Sequence, residues 1–354
     1  MKLTAQKTKY FTEQLMHWHE YENDRSLPWK EERNPYKVWL SEIILQQTRA
    51  EQGLPYFLRF TEQYPTIGSL AAAKDDDVFK LWQGLGYYNR CKNMLVAARY
   101  ITAELGGVFP NTYEELLQLK GVGAYTAAAI SSFAFGLPQA VVDGNVYRVL
   151  SRFWAIDTPI DTTEGKKLFT NLAEQLLDKK NSAKYNQAIM DFGATVCTPK
   201  LPNCALCPLA GKCAAQKQSM IHLLPIKSKK VKVKNRFFHY VIFHHQDDIW
   251  ITKRGTGDIW ENLYEPYLIE GAKILDEKEV VAALNKGKIK VGDLVYEGTL
   301  KQRLTHQLIQ FQFYTCRVAK KENIEDGVWV KKEELKAYSF PKTLVSFFEK
   351  KLYF

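Results

Sequence analysis

A polar segment, Thr112 to Lys120, runs into two glycines one residue apart, and an alanine-rich segment, 124–135, begins directly behind them. The join, Leu119-Lys120-Gly121-Val122-Gly123-Ala124-Tyr125, predicts a tight hairpin between two helices. Glycine at 121 and 123 permits the turn and removes side chains that would keep its free N–H groups away from a phosphate. Such a turn grips a nucleic-acid backbone without reading sequence. Further on, Asp143-Gly144-Asn145 follows Pro138 and precedes the apolar pattern Val146, Val149, Leu150, so Asp143 is expected at or beside a helix start. Simple capping and a working carboxylate are both open for it on this pattern.

Helical periodicity continues on both sides of the hairpin. Phe11, Leu15, Trp18 and Tyr21 predict a helix from Thr8 to Tyr21, and Trp39, Leu40, Ile43 and Ile44 form the buried side of another from Pro35 to Arg49. Short helices are expected at 66–72, 75–82, 89–104 and 112–120, the last opened by Thr112 and Glu115 as a capping box. After 124–135 come 146–154, 162–178 and 182–196, so this half is all-α. Glu42 breaks the pattern of its helix. Val38 and Leu45 share its face, so the carboxyl emerges among apolar neighbours. Either it is a surface acid beside a groove, or desolvation raises its pKa and equips it as a general acid. Trp29, between Pro28 and Lys30, suits a core ring or a pocket wall equally.

Charge and cysteine usage narrow the partners. The formal net charge is +10, and from Phe192 to Gln246 there is no Asp or Glu against Lys200, Lys212, Lys217, Lys227, Lys229, Lys230, Lys232, Lys234 and Arg236. A polyanion is the expected partner, nucleic acid ahead of a membrane because no amphipathic basic helix accompanies the run. No leader or membrane span is read at Met1-Lys2-Leu3-Thr4 or in the charge-free stretch 121–142, which Ser131, Ser132, Gly136 and Pro138 interrupt, so a cytoplasmic protein is expected. There Cys197, Cys204, Cys207 and Cys213, spaced C-x6-C-x2-C-x5-C, read as a metal site rather than as disulfides. One close pair flanked by wider gaps is unlike the two close pairs usual for zinc.

Beyond Ile221 to Asn235, a lysine-rich linker, the pattern turns to strands at 236–245, 249–254, 264–269 and 307–316, with helices at 276–286, 331–337 and 341–352. This is an α+β domain. The expected organisation is 1–220, a basic linker 221–235, and 236–354.

Taken together, the hairpin, the downstream Asp143 and the cysteine spacing resemble the helix-hairpin-helix DNA glycosylase superfamily, and within it the adenine DNA glycosylases. The resemblance covers nearly the whole chain. It implies an all-α catalytic core closed by a [4Fe–4S] loop (197–213), followed by a C-terminal Nudix-like recognition domain without the Nudix catalytic box. It further implies a monomeric, monofunctional enzyme that removes adenine mispaired with 8-oxoguanine in double-stranded DNA. On matching positions Glu42 is the acid, Asp143 the counter-charge to the sugar cation, and Tyr125 and Asn145 orient water and Asp143. Trp29 lines the base pocket, Gly121, Val122 and Gly123 hold phosphate, and Gln47 and Tyr87 enter the base stack. Family members carry Phe-Ser-His where this chain has Leu304-Thr305-His306, which assigns Thr305 and His306 to the partner guanine and leaves no aromatic ring there. Lyase relatives carry a Schiff-base lysine at the position of Tyr125. Endonuclease III-like glycosylase–lyases, thymine-mismatch glycosylases and non-enzymatic iron–sulfur DNA-binding proteins are the rival readings.

Overall fold

The computed structural model describes residues 4–228, 232–287, 289, 292–321, 324 and 326–351. Lys229 and Lys230 of the basic run lie outside them, as does residue 352 of the last predicted helix. Contacts divide the chain into two compact units, Met1–Ala71 with Val96–Lys230, and Ala72–Leu95 with Val231–Phe354.

The first unit is helical: α1 (Ala5–Tyr21), α2 (Pro35–Leu45), α3 (Ala50–Gln63), α4 (Ile67–Ala71), then, after α5 (Asp75–Trp82) and the start of α6 (Asn89–Glu104), α7 (Tyr113–Leu116), α8 (Ala124–Phe135), α9 (Gly144–Trp154), α10 (Thr163–Leu176), α11 (Ser182–Thr195) and α12 (Ala214–Lys217). α1 and α9 to α11 close around Phe11, Leu15, Val149, Leu150, Phe153, Phe169 and Phe192. α8 is apolar on nearly all sides, with Thr126 to Phe133 buried, because α2, α7 and α11 pack around it. α7 is shorter than the predicted 112–120: Thr112 caps it through the Glu115 N–H as expected, but turns replace helix after Leu116 so that the chain can bend towards the hairpin. α3 has no counterpart in the sequence expectations, since Gly53 and Pro55 interrupt its pattern.

The second unit is built on a seven-stranded mixed sheet. Its strands are β1 (Lys234–His245), β2 (Asp248–Lys253), β3 (Tyr264–Glu265), β4 (Tyr267–Gly271), β5 (Leu294–Arg303), β6 (Gln307–Arg317) and β7 (Gly327–Lys331), with α13 (Glu277–Lys286) and α14 (Lys342–Lys350). The order is β3-β2-β1-β6-β5, with β4 on β1 and β7 on β2; only β1 and β6 run parallel. Eleven consecutive pairs, Lys234↔Gln307 to His244↔Arg317, tie these two, and β1 is accordingly buried on both faces from Phe238 to Phe243. The predicted helix at 331–337 is a 3₁₀ turn, Lys332–Ala337. Residues 72–95, which the sequence reading placed in the helical half, group here because Lys80 donates to the Tyr338 carbonyl, Lys253 and Tyr264 hold Asp76, and Lys92 pairs with Glu261.

Candidate active site

A cavity of about 580 Å³ opens in the helical unit, a size typical of small-ligand sites. α2 supplies Val38, Ser41, Glu42 and Leu45 to its wall. That helix is fixed at its start by Pro35 in the first turn and by Asn34, whose side chain accepts from the Tyr36 and Lys37 N–H groups. Glu42 is 6% exposed. Burial pushes its carboxyl up to about 7, against the pull of a hydrogen bond from Tyr125 and with a further push from the Asp143 charge. At neutral pH a substantial fraction is therefore a proton donor. Tyr125 stands in the first turn of α8, directly behind the hairpin, so the turn also sets where its hydroxyl meets Glu42.

Asp143 caps α9. Its Oδ1 accepts from the Val146 N–H at 2.7 Å, and its Oδ2 accepts from Asn145 Nδ2 at 2.7 Å. Asn145 Oδ1 in turn accepts from Arg148 Nη2 at 2.7 Å, and Arg148 Nε donates to the Cys197 carbonyl at 2.7 Å. Glycine at 193 makes this arrangement possible: a Cβ there would lie 2.6 Å from the Cβ of Asn145. Burial raises the pKa of Asp143, while the Val146 and Asn145 donors and the Arg148 charge restrain the rise. The helix N-terminus thus favours ionisation of Asp143, but desolvation outweighs it. Glu42 has one hydroxyl donor against this set, so of the two it is the carboxyl that keeps its proton longer.

The opposite wall was not legible beyond Trp29. Trp29 lines the cavity and meets Phe57 edge to face at 5.5 Å. Its loop, 23–30, is pinned by Asp191 of α11, whose side chain is fully buried and accepts from Arg25 at 2.7 Å, Lys30 at 2.6 Å and Asn23 at 3.1 Å. Burial opposes ionisation of Asp191, but these donors win and hold its pKa below the ordinary carboxylate value. Arg25, Arg148, Gln187 and Met190 also line the cavity. The available signal was an Asp inside the apolar run of α11.

Two family models match the chain: the HhH-GPD superfamily base excision DNA repair protein over residues 40–175 and the NUDIX domain over 239–350. The adenine DNA glycosylase of Buchnera aphidicola subsp. Baizongia pistaciae is 32% identical over 301 residues, 84% of each chain, and that of the subspecies Acyrthosiphon pisum 36% over 258 residues, 73% of this chain and 74% of the other. The chain belongs to the adenine DNA glycosylases. It is accordingly a hydrolase of N-glycosyl bonds that acts in base excision repair. The human adenine DNA glycosylase is 42% identical over 217 residues, covering 59% of this chain and 40% of that one. Among solved structures, a thermostable thymine-DNA glycosylase superposes with TM-score 0.56 at 28% identity over 60% of this chain and 98% of that one. A trapped endonuclease III–DNA covalent intermediate, at TM-score 0.54 and 23% identity, shares the fold.

Of the other residues expected to work in this adenine glycosylase, Gly121 takes φ +82°, a left-handed conformation that favours glycine, and Gly123 caps α8 with open space where a side chain would stand. Val122 is buried beneath the turn. Gln47 and Tyr87 both hold positive φ, 57° and 50°, a strained conformation for such side chains that clusters at functional sites. Both are exposed. Within the second unit Tyr87 and Thr305 meet, hydroxyl to hydroxyl at 3.2 Å, while His306 is exposed beside them in the β5–β6 loop.

Members of the family often carry a [4Fe–4S] cluster. Cys197, Cys204, Cys207 and Cys213 are half-buried in the helical unit, three of them packed on the α1/α9–α11 core. Among the described residues no three His, Cys, Asp or Glu side chains form a site for a single metal ion, and no helix is long and apolar enough to cross a membrane.

Proposed function

We propose that this adenine glycosylase is monofunctional, binds double-stranded DNA as a monomer and excises adenine mispaired with 8-oxoguanine or guanine. The observation that carries the reading is Glu42: a buried carboxyl with its pKa raised to about 7, facing the cavity and held by Tyr125. Reaching the glycosidic bond requires the nucleotide to leave the duplex, at a cost of a few kcal/mol. A phosphate grip at Gly121 to Gly123 and insertion of Gln47 and Tyr87 into the stack offset that cost. Glu42 then protonates the adenine, which turns it into a good leaving group, and the bond electrons depart with the base. The sugar is left as an oxocarbenium-like cation. Asp143, anchored on the α9 N-terminus, supplies the opposing charge, and Asn145 and Arg148 keep its carboxylate aimed at the cavity.

Because Tyr125 offers no amine, the chain has no Schiff-base nucleophile behind the hairpin. Duplexes carrying A, T or thymine glycol in defined pairs, assayed with and without alkali, test this reading. Adenine release opposite 8-oxoguanine, strand cleavage only after added base and little borohydride-trapped adduct are expected; release of thymine instead, or efficient trapping, would overturn it.

The four cysteines suit a [4Fe–4S] group chemically. Burial comes first among the causes that raise the Cys204, Cys207 and Cys213 thiols, Cys207 to about 12, and their mutual repulsion adds to it. Four thiolates there need a cationic partner. Arg152 Nη1, 3.5 Å from Cys197 Sγ, supplies part of that charge, and iron would supply the rest. When bound, the cluster would cross-link the 197–213 loop, with the protein's own Lys200 and Lys212 left to meet phosphate. Purified anaerobically, the protein should be brown with about four irons per chain, and Cys204→Ser should lose iron together with folding yield or DNA affinity. Stoichiometric zinc without visible absorption contradicts the assignment.

A further inference from the structure

The chemistry of the cavity makes no use of a half-buried charge cluster at one end of the sheet in the second unit. Its centre is Arg236 of β1, only 7% exposed. All five guanidinium N–H donors are engaged: Nε to Glu270 Oε1 at 2.7 Å, Nη1 to Asp258 Oδ1 at 2.7 Å and to Gln307 Oε1 at 3.3 Å, Nη2 to Asp258 Oδ2 at 2.7 Å and to Glu270 Oε2 at 2.6 Å. The group lies over the Phe238 ring, 4.7 Å from its centre. Asp258 is fixed again by the Ile259 N–H and by Arg254, both at 2.7 Å, and Arg254 in turn grips Glu265, which accepts from the Tyr240 hydroxyl.

Burying ion pairs does not by itself stabilise a fold; apolar replacements often do as well. A saturated planar fork does fix geometry. What it fixes here is the root of the β5–β6 loop. Gln307 is the first residue of β6, its carbonyl accepts from the Leu304 N–H at 2.8 Å, and the His306 carbonyl accepts from the Lys234 N–H at 2.9 Å. Between these staples stands Thr305, exposed, with its hydroxyl 3.2 Å from that of Tyr87.

We propose that Arg236 is a positioning residue for discrimination of the partner base: by holding Asp258, Glu270 and Gln307 together, it sets where Thr305 presents its hydroxyl. The proposal rests on the assignment of Thr305 to the partner guanine. An 8-oxoguanine carries a hydrogen at N7 where guanine has a lone pair, and a hydroxyl oxygen held in place can accept it. Lysine at 236 keeps the charge, but with three donors and no planar fork it cannot replace five bonds, two pairs of them bidentate, to the three partners.

The test is the ratio of single-turnover rates on 8-oxoguanine:A and G:A for the wild type, Arg236→Lys, Gln307→Leu, Thr305→Ala and the double variant Arg236→Lys with Thr305→Ala. Thr305→Ala should narrow the ratio by about 2- to 13-fold, the value of one neutral hydrogen bond. Arg236→Lys should narrow it by no more than that, and should add nothing once Thr305 is gone. A general loosening of the sheet would not show this dependence on Thr305. Gln307→Leu leaves the clamp on Asp258 and Glu270 intact and cuts only the link to the loop, so it carries the test if Arg236→Lys folds poorly. A ratio unchanged in Arg236→Lys and Gln307→Leu but lowered in Thr305→Ala, or losses that add in the double variant, overturns the positioning role alone. An unchanged ratio in Thr305→Ala overturns the reading of the loop and the proposal with it.

Discussion

Replacing Glu42 by glutamine is expected to lower single-turnover adenine excision at least ~10²-fold, the scale of a lost general acid, while mismatch binding survives. Glutamine keeps the shape and can still accept from Tyr125, so the change removes the transferable proton and little else. The pH profile gives an independent check. A donor with a pKa of about 7 is active when protonated, so the wild-type rate should hold below neutrality and fall as pH rises through about 7. The same burial has a cost in stability. Glu42 stands above its ordinary 4.5 in the folded state, so stability is lost as pH climbs from 4.5 towards 7. Above that range the loss levels off at about 3 kcal/mol. Glu42→Gln should therefore melt close to the wild type at pH 5 and clearly higher at pH 8. A variant that is more stable in base but inactive separates lost chemistry from lost fold. Near-wild-type excision would remove Glu42 from the mechanism.

Glu42 was legible because its signal is local: an acid whose helical neighbours at 38 and 45 are apolar needs no partner to look misplaced. The hairpin was legible for the same reason, since two glycines and a helix start lie within a few residues. Asp191 and Arg25 meet across 166 positions, and nothing in the spacing of either announces the other. Nothing in the sequence around Arg148 marks it, although its side chain runs inward to Asn145 and the Cys197 carbonyl. In the second unit β1 and β6 were found through their buried aromatic runs, whereas β5 and β7 were not. β5 lies at the sheet edge with Val295 and Tyr296 exposed and Gly298 in a bulge, so neither alternation nor burial marks it. The predicted helix 35–49 ends at Leu45 because Gln46 leaves the helical ψ range, and Gln47 then departs to positive φ. That departure falls on a residue expected to touch DNA.

Asp143→Asn is expected to cost a similar ~10²-fold or more in excision, for a reason that capping alone cannot supply. Asparagine caps a helix about as well as aspartate, and its carbonyl oxygen can keep the Val146 N–H. The second contact cannot survive unchanged. Asn145 Nδ2 now donates to Asp143 Oδ2, and an amide NH₂ in that place sets donor against donor. If Asn145 flips to relieve this, its own NH₂ faces the Arg148 guanidinium, which now donates to its oxygen. One link of the chain from Asp143 to Arg148 is therefore broken in either orientation, and the negative charge opposite the sugar cation is gone. Folding should suffer by no more than about 1 to 3 kcal/mol, the cost of one unsatisfied buried group. The measurement is single-turnover excision beside a thermal melt. A large rate loss in a protein that still melts cooperatively assigns Asp143 to the chemistry, whereas full activity with a lowered melting temperature would leave it as the cap of α9.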